Sequence, residues 1–225
     1  MVTQHMQTEL LLDSGINEML RVSPGQHLTH IQILDGSPNH VTVEVQRDAS
    51  YTHIVITDTP TTSTVAVALT EPRASASLYG LVMLSDTSTH VRTSVTHRTD
   101  DGRSNQEYRH IVGAQSTLVV EAELEVRSGA KGNDSSQYCR NLILTDNCDI
   151  NIRPHLRIAN DNVSCRHGIA NGTVNEKALH YLTSRGIPQP IATSMLVHAF
   201  AQEIIRLLPT KELQHQALLK LATVL

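Results

Sequence analysis

Two thiols and one imidazole lie near one another in the second half of the sequence, at Cys148, Cys165 and His167. Thiolate and imidazole side chains bind soft and borderline metals such as iron and zinc. Cys165 and His167 are two residues apart, so in a β-strand both side chains point to the same face. We therefore place the candidate site of this chain in the segment 147–184.

Each of these residues also has a purely structural interpretation. A free cysteine is most often a small apolar residue of the core, and this applies to Cys148 and Cys165. A histidine directly before a glycine, as His167 stands before Gly168, is typical of a turn. Cys139 lies at the start of an apolar strand pattern, and we interpret it as structural. The other histidines form no metal-binding motif, and we interpret most of them as surface or turn residues.

The elements that precede this segment are predominantly β-strands. From about residue 10 to about residue 168, short alternating runs rich in Val and Thr are separated by Gly, Asp, Asn and Ser. The predicted strands are 41–45, 52–57, 64–69, 78–84, 90–96, 107–112, 119–126, 141–144 and 150–158. No amphipathic helix interrupts them, which argues against a doubly wound nucleotide-binding sheet. The pattern alone leaves a sandwich, a barrel and a β-solenoid open.

The pattern becomes helical after Asn171. A capping box at Thr173–Glu176 predicts the start of the first helix, and Gly and Pro residues predict its end. The predicted helices are 174–185, 190–208 and 211–224. We therefore divide the chain into a β region, 1–170, and a small C-terminal helical subdomain, 171–225.

Composition excludes several classes of function. The chain has 225 residues, a net charge of −4 and no long basic run, so nucleic-acid binding has no electrostatic support. No apolar run is long enough to span a bilayer, and the N-terminus has no secretory signal pattern. Three cysteines are too few for a disulfide framework, which favours a reducing compartment, the cytoplasm. No Walker or dinucleotide motif is present, so we expect this chain to bind no ATP.

Several motifs of the sequence resemble those of the SufB/SufD family of iron–sulfur cluster assembly proteins. The segment DNVSCRHG resembles the family motif DDVxCxHG, and LHYLTSRGI resembles LFYLxSRGI. Weaker similarities lie upstream and downstream of these two, in the same order as in the family. The similar segments are 134–144, 161–168, 179–187 and 198–203, together with His97 and Ser104. The similarity extends from about residue 75 to about residue 208.

The resemblance implies a fold and an assembly. The family core is a right-handed parallel β-helix followed by a small helical domain. Two cores pair, so we expect a homodimer or a heterodimer with a SufB- or SufD-type sibling. Each helical domain docks on SufC, an ABC-type ATPase, so we expect residues 172–225 to bind a SufC-like ATPase. That docking surface is expected to consist of the predicted helix 190–208 together with Leu213, Leu218 and Leu219. The family's additional N-terminal region is missing, so we expect a minimal or shortened member.

The resemblance also implies a transient iron–sulfur cluster as cargo and no catalysis by the chain itself. Cys148 occupies the position of a scaffold cysteine of the SufB branch, whereas Gly168 is SufD-like and replaces a glutamate that is a proposed ligand in SufB. Cys148, Cys165 and His167 are the expected cluster-binding residues, with Cys148 and His167 as metal ligands. The alternative is a purely structural β-helical partner that binds no iron. A carbohydrate-active β-helix enzyme is weaker, because the acidic residues are scattered.

Overall fold

A computed structural model describes residues 8–13 and 17–224 of the chain, with side chains described from Glu18 onward. This part of the chain forms thirteen β-strands and three α-helices. The strands are β1(Thr8–Asp13), β2(Asn17–Val22), β3(His27–Ile33), β4(Asn39–Val45), β5(Ser50–Thr57), β6(Thr62–Leu69), β7(Ser75–Leu84), β8(Ser88–His97), β9(Arg103–Val112), β10(Thr117–Val126), β11(Asp134–Ile143), β12(Asp149–Ile158) and β13(Ser164–Thr173). The helices are α1(Glu176–Ser184), α2(Gln189–Ile205) and α3(Lys211–Leu221).

Successive strands alternate between two parallel sheets. Sheet A has the order β1-β3-β5-β7-β9-β11-β13, and sheet B has the order β12-β10-β8-β6-β4-β2. Every strand therefore pairs in parallel with the strand two positions along the chain, one coil away. Cys139 of β11, for example, lies between Tyr108 of β9 and Ile169 of β13. This topology confirms a parallel β-helix and excludes the sandwich and the barrel.

The interior between the sheets is narrow and is filled by alternate residues of each strand. In sheet B these residues are mostly Val, Leu and Ala, such as Val43, Val67 and Leu124, and they are almost fully buried. Residues on the outer face of the same strands are polar or half exposed. Period-two alternation with small and β-branched inner residues explains why these segments form stacked strands.

The helices begin and end within three residues of the predicted positions, but the predicted N-cap of α1 is wrong. Thr173 is the last residue of β13 and pairs with Ile143, so its backbone belongs to the sheet. Asn175 caps the helix instead, because its side-chain oxygen accepts a hydrogen bond from the Ala178 amide at 2.9 Å.

The helices pack on the outer face of sheet A. Val197, Ala201 and Ile204 of α2 belong to the same apolar cluster as Leu81 and Met83 of β7. At the next strand, the Arg109 guanidinium donates to the Phe200 carbonyl at 3.3 Å and lies over the Phe200 ring. The helices therefore do not cover the last coil, and β12 and β13 remain open.

Candidate functional site

The candidate residues all lie on the last coil of the solenoid. β12 and β13 are the edge strands of their sheets, and each pairs with one neighbour only. The inner residues of β12, such as Ile152 and Leu156, are half exposed, whereas the corresponding residues of β10 are fully buried. This end of the molecule therefore presents two unpaired backbone edges around a partly open apolar row, a surface that proteins normally cover.

Cys165 and His167 both lie on the inner row of β13, as the two-residue spacing predicts. In the strand register they stack on Ser135 and Gln137 of β11, which are buried inside the solenoid. Cys165 is half-buried, and burial raises the pKa of its thiol. The His167 side chain is exposed at the open end. A thiol and an imidazole thus lie on the inner row of the coil that forms the open end of the solenoid.

Cys148 lies at the opposite side of the same coil. It directly precedes β12, and its thiol donates to the Thr145 carbonyl at 3.4 Å. Because β12 crosses the solenoid before the chain turns into β13, Cys165 is separated from Cys148 by the length of a strand, roughly 25–30 Å at about 3.3 Å per residue. Cys148 and Cys165 are therefore close in sequence but distant in space. Within the residues that the structure describes, no three His, Cys, Asp or Glu side chains are placed to hold a metal ion.

A buried polar network lies directly beneath Cys165. The two ring nitrogens of His97 contact Asn133 Oδ1 at 2.9 Å and Ser104 Oγ at 2.9 Å, and the Nε2 atom is 3.0 Å from Ser135 Oγ. In the strand register Ser135 lies directly beneath Cys165. Burial lowers the pKa of His97, so its imidazole is neutral at pH 7. The network of buried polar groups thus ends directly beneath the inner row of the open coil.

A second buried chain reaches the other half of β13. The His110 ring lies 2.7 Å from Asn141 Oδ1, and the Asn141 amide donates to Asn171 at 2.6 Å. Burial lowers the pKa of His110 to about 4. The interpretation of most histidines as surface or turn residues is therefore wrong for His110, as it is for His53. Both occupy inner positions of a strand, where alternation places them inside the solenoid.

Cys139 lies inside the solenoid, 4% exposed. Burial raises the pKa of its thiol to about 11, so the thiol is protonated at neutral pH. A neutral buried thiol is consistent with the structural interpretation. Sequence reasoning missed the polar interior around it, because Ser135, Gln137 and Asn141 alternate like solvent-facing residues. The one available signal was that these residues lie an even number of positions from Cys139 and therefore face the same side of the strand.

A second candidate surface lies on the helices. An apolar groove of about 620 Å³ runs along the exposed side of α2. It is lined by Pro190, Ile191, Ser194, Met195, His198, Ala199 and Gln202. The prediction that Leu213 belongs to a docking surface is wrong, because it is buried on the inner side of α3. Leu218 is half-buried in the same cluster, and Leu219 is exposed. No helix in the described part of the chain is both long and apolar enough to cross a membrane.

The sequence is similar to known proteins over most of its length. Residues 20–200 match the family model "SUF system FeS cluster assembly, SufBD core domain". A SufBD-family iron–sulfur cluster assembly protein of Synechocystis sp. is 33% identical over 126 residues, which is 56% of this chain and 27% of the relative. The iron–sulfur cluster assembly protein SufD of Escherichia coli is 30% identical over 130 residues, 58% of this chain and 31% of the relative. A SufBD-family protein of Mycobacterium leprae is 29% identical over 201 residues, 82% of this chain and 51% of the relative. The chain thus spans about half the length of these relatives or less.

Proposed function

Because this chain belongs to the SufBD core-domain family, we propose that it is a scaffold subunit for iron–sulfur cluster assembly. Two of its relatives are named as iron–sulfur cluster assembly proteins of the same family, and a third as the assembly protein SufD. The observation that carries the proposal is the open last coil, which presents Cys165 and His167 along its inner row. Iron and sulfide are the cargo, and the chain itself catalyses no reaction.

Two paired chains supply the ligands that one chain lacks. An isologous pair joined at the last coil, with its two-fold axis perpendicular to the sheets, reverses the strand direction between copies. The side of the coil that carries Cys165 and His167 in one copy then meets the side that carries Cys148 in the other. Pairing also covers the two edges and the apolar row of β12, which favours association.

Each such junction combines thiolate and imidazole groups. A nascent iron–sulfur cluster is held mainly by thiolates, and imidazole replaces some of them in known protein centres. In this arrangement, Cys148 of one copy and His167 of the other bind iron, with Cys165 as a further thiolate. Metal binding requires deprotonated thiols and neutral imidazole, so cluster binding weakens as the pH falls.

The groove on α2 is the proposed docking surface for a SufC-like ABC ATPase. An exposed apolar helix face can insert into a groove of another protein, or another protein can cover it. Ile191 and Met195, 55% and 46% exposed, lie at the centre of this surface. Since α2 packs on β7 and β9, movement of the helix is transmitted to the sheet that ends in β13. ATP binds to the partner and not to this chain, and the assembly belongs in the reducing cytoplasm.

Anaerobic reconstitution with iron and sulfide tests the ligand assignment. Cys148→Ser and His167→Ala are each expected to remove most of the bound iron and sulfide, measured chemically and by visible absorption. Cys139→Ser is the matched control, because that thiol is buried inside the solenoid, one coil beneath the open end, and is not exposed there. Unchanged iron and sulfide content in both ligand variants would refute the assignment.

One observation favours the second candidate function, a structural partner that binds no iron. Gly168 occupies the position of a glutamate ligand in the SufB branch, and a Cβ atom there would lie 3.0 Å from the Tyr138 ring. A glutamate therefore does not fit at residue 168 without movement of Tyr138. If the chain is such a structural partner, the Cys139→Ser control and both ligand variants bind equally little iron, while pairing with a sibling chain persists.

A further inference from the structure

The buried glutamine beneath His167 has no hydrogen-bond partner among the residues that the structure describes. Gln137 lies on the inner row of β11 and is 2% exposed. Both its amide nitrogen and its amide oxygen are buried without a partner in this part of the chain. Buried polar side chains of folded proteins are nearly always hydrogen-bonded, so this amide requires a partner. In the strand register, the residue directly above it at the open end is His167.

The glutamine one coil beneath differs from Gln137 in having partners on both sides of its amide. Gln106 accepts a hydrogen bond from the Thr93 hydroxyl at 2.7 Å and donates to the Glu123 carbonyl at 3.1 Å. Gln137 stacks directly on Gln106. In sheet B, however, Ala122 takes the place of Thr93 one coil further along. Because a methyl group donates no hydrogen bond, the Gln137 oxygen is left without the donor that Gln106 has.

Three buried imidazole rings of this solenoid contact a side-chain amide oxygen. The pairs are His53 with Gln32 at 2.9 Å, His97 with Asn133 at 2.9 Å and His110 with Asn141 at 2.7 Å. An amide oxygen only accepts, so the ring nitrogen is the donor in each pair. His110 and Asn141 are direct neighbours in adjacent coils, the same relation that Gln137 has to His167. An amide and an imidazole in this relation are therefore within hydrogen-bonding reach.

We propose that Gln137 positions His167 as an iron ligand by accepting a hydrogen bond from its ring. The inference rests on the proposed function, which makes His167 a ligand. The exposed His167 ring turns inward, a motion that exposed side chains make on the nanosecond timescale or faster, and its Nδ1–H donates to Gln137 Oε1. Nδ1 is the ring nitrogen nearer to the backbone, so Nε2 then points away from β13 toward the open end.

This hydrogen bond determines which ring nitrogen is free to bind iron. A neutral imidazole in water carries its proton mainly on Nε2, which blocks that atom as a ligand. A bond from Nδ1–H to Gln137 holds the proton on Nδ1 and leaves the Nε2 lone pair available. Metal-binding histidines generally donate their second N–H in this way, and loss of the acceptor weakens metal binding about 10–100-fold. The ring is thus oriented before iron arrives.

Histidine NMR of the metal-free full chain tests the hydrogen bond without iron. Long-range proton–nitrogen spectra distinguish the two neutral tautomers, and His167→Ala identifies the His167 signals by their loss. In mildly alkaline buffer we expect the Nδ1–H tautomer in the unsubstituted protein. Gln137→Met, an apolar side chain of the same length, should shift the ring to the Nε2–H tautomer. Gln216→Met, the same substitution at an exposed position of α3, is the matched control and should leave the His167 signals unchanged.

Ferrous iron binding after anaerobic reconstitution tests the consequence. Gln137→Met should weaken iron binding about tenfold or more, measured by competition with a chelator. The Gln216→Met control should bind iron like the unsubstituted protein. Circular dichroism should show that both variants are folded, because Gln137→Met replaces a buried polar group by an apolar side chain of similar size. A purely structural role of Gln137 would change neither the tautomer of His167 nor the affinity for iron.

Three outcomes would overturn the inference. If His167 is the Nε2–H tautomer in the unsubstituted protein, or if Gln137→Met leaves its tautomer unchanged, the buried amide has another partner, such as a water molecule. If the tautomer shifts but Gln137→Met binds iron like the unsubstituted protein, the hydrogen bond does not position a ligand. If His167→Ala retains the iron of the unsubstituted protein, the proposed function fails at this residue, and a tautomer shift then reports only a structural contact.

Discussion

The substitution His110→Gln tests how the buried histidines of the solenoid make stability depend on pH. The His110 ring is fully buried, lies 2.7 Å from Asn141 Oδ1 and packs on the Tyr108 ring. Burial lowers its pKa from 6.5 to about 4. The folded protein therefore resists protonation of this ring, whereas the unfolded chain binds the proton near pH 6.5. Glutamine retains an amide donor for Asn141 but does not titrate.

The sign and size of the effect follow from proton linkage. Because the folded pKa is the lower one, the stabilising contribution is present above pH 6.5 and is lost as the pH falls toward 4. A difference of about 2.5 pKa units corresponds to about 3 kcal/mol in the free energy of unfolding, most of it lost between pH 6.5 and pH 4. In that range, the unsubstituted protein should lose about 1.4 kcal/mol per pH unit more than the His110→Gln variant.

Urea unfolding followed by circular dichroism between pH 7.5 and pH 4.5 measures this difference. His215→Gln, an exposed histidine of α3, is the matched control and should unfold with the pH dependence of the unsubstituted protein. His53 and His97 are also buried with lowered pKa values, so some acid sensitivity should remain in the His110→Gln variant. Equal slopes for the His110→Gln variant and the unsubstituted protein would refute the assignment of a neutral buried His110.

Two further predictions concern the core and the helices. Gly80→Ala should destabilise the protein by about 1–3 kcal/mol in thermal or urea unfolding, because an added methyl group would overlap the buried Tyr108 ring. Gly172→Ala is the control, because Gly172 has open space around it. Equal stability of the two variants would contradict the packing described. Met195→Asp should abolish pull-down of a SufC-like ATPase without lowering the unfolding temperature, since Met195 lies in the exposed groove of α2; retained binding would show that the ATPase docks elsewhere. Deletion of residues 172–225 is a poorer test, because it would expose the apolar outer face of sheet A that includes Met83.

Much of the fold follows from the sequence pattern, and there are physical reasons why the rest could not be predicted from it. Alternation identified strands such as β4, β6, β10 and β12 to within two residues, because one face of each is buried. Alternation alone did not distinguish a solenoid from a sandwich, since local pattern contains no information on which strands pair. The resemblance to SufB and SufD supplied that choice. The capping box at Thr173 was misleading, because pairing with β11 extends β13 to that residue and moves the cap to Asn175.

The candidate site was predictable only in part. The two-residue spacing correctly placed Cys165 and His167 on one face, because that relation is local to a strand. The position of Cys148 depends on where the chain turns between sheets, and the ten-residue strand β12 carries the chain across the whole coil between Cys148 and Cys165. The polar residues of the interior were also missed, because inward-facing and outward-facing residues of a strand both recur at every second position. Residues such as Gln137 become recognisable as internal only once the stacking of coils is known.

The central claim is that each cluster site takes Cys148 from one copy and His167 from the other. A mixed dimer of the Cys148→Ser and His167→Ala variants, isolated with two different affinity tags, tests it directly. In that dimer one junction contains both substitutions and the other contains none. We predict that each variant alone binds almost no iron after anaerobic reconstitution, whereas the mixed dimer recovers one of its two sites, with about half the iron and sulfide of the unsubstituted dimer. Iron content in the mixed dimer as low as in either variant alone would contradict a shared site.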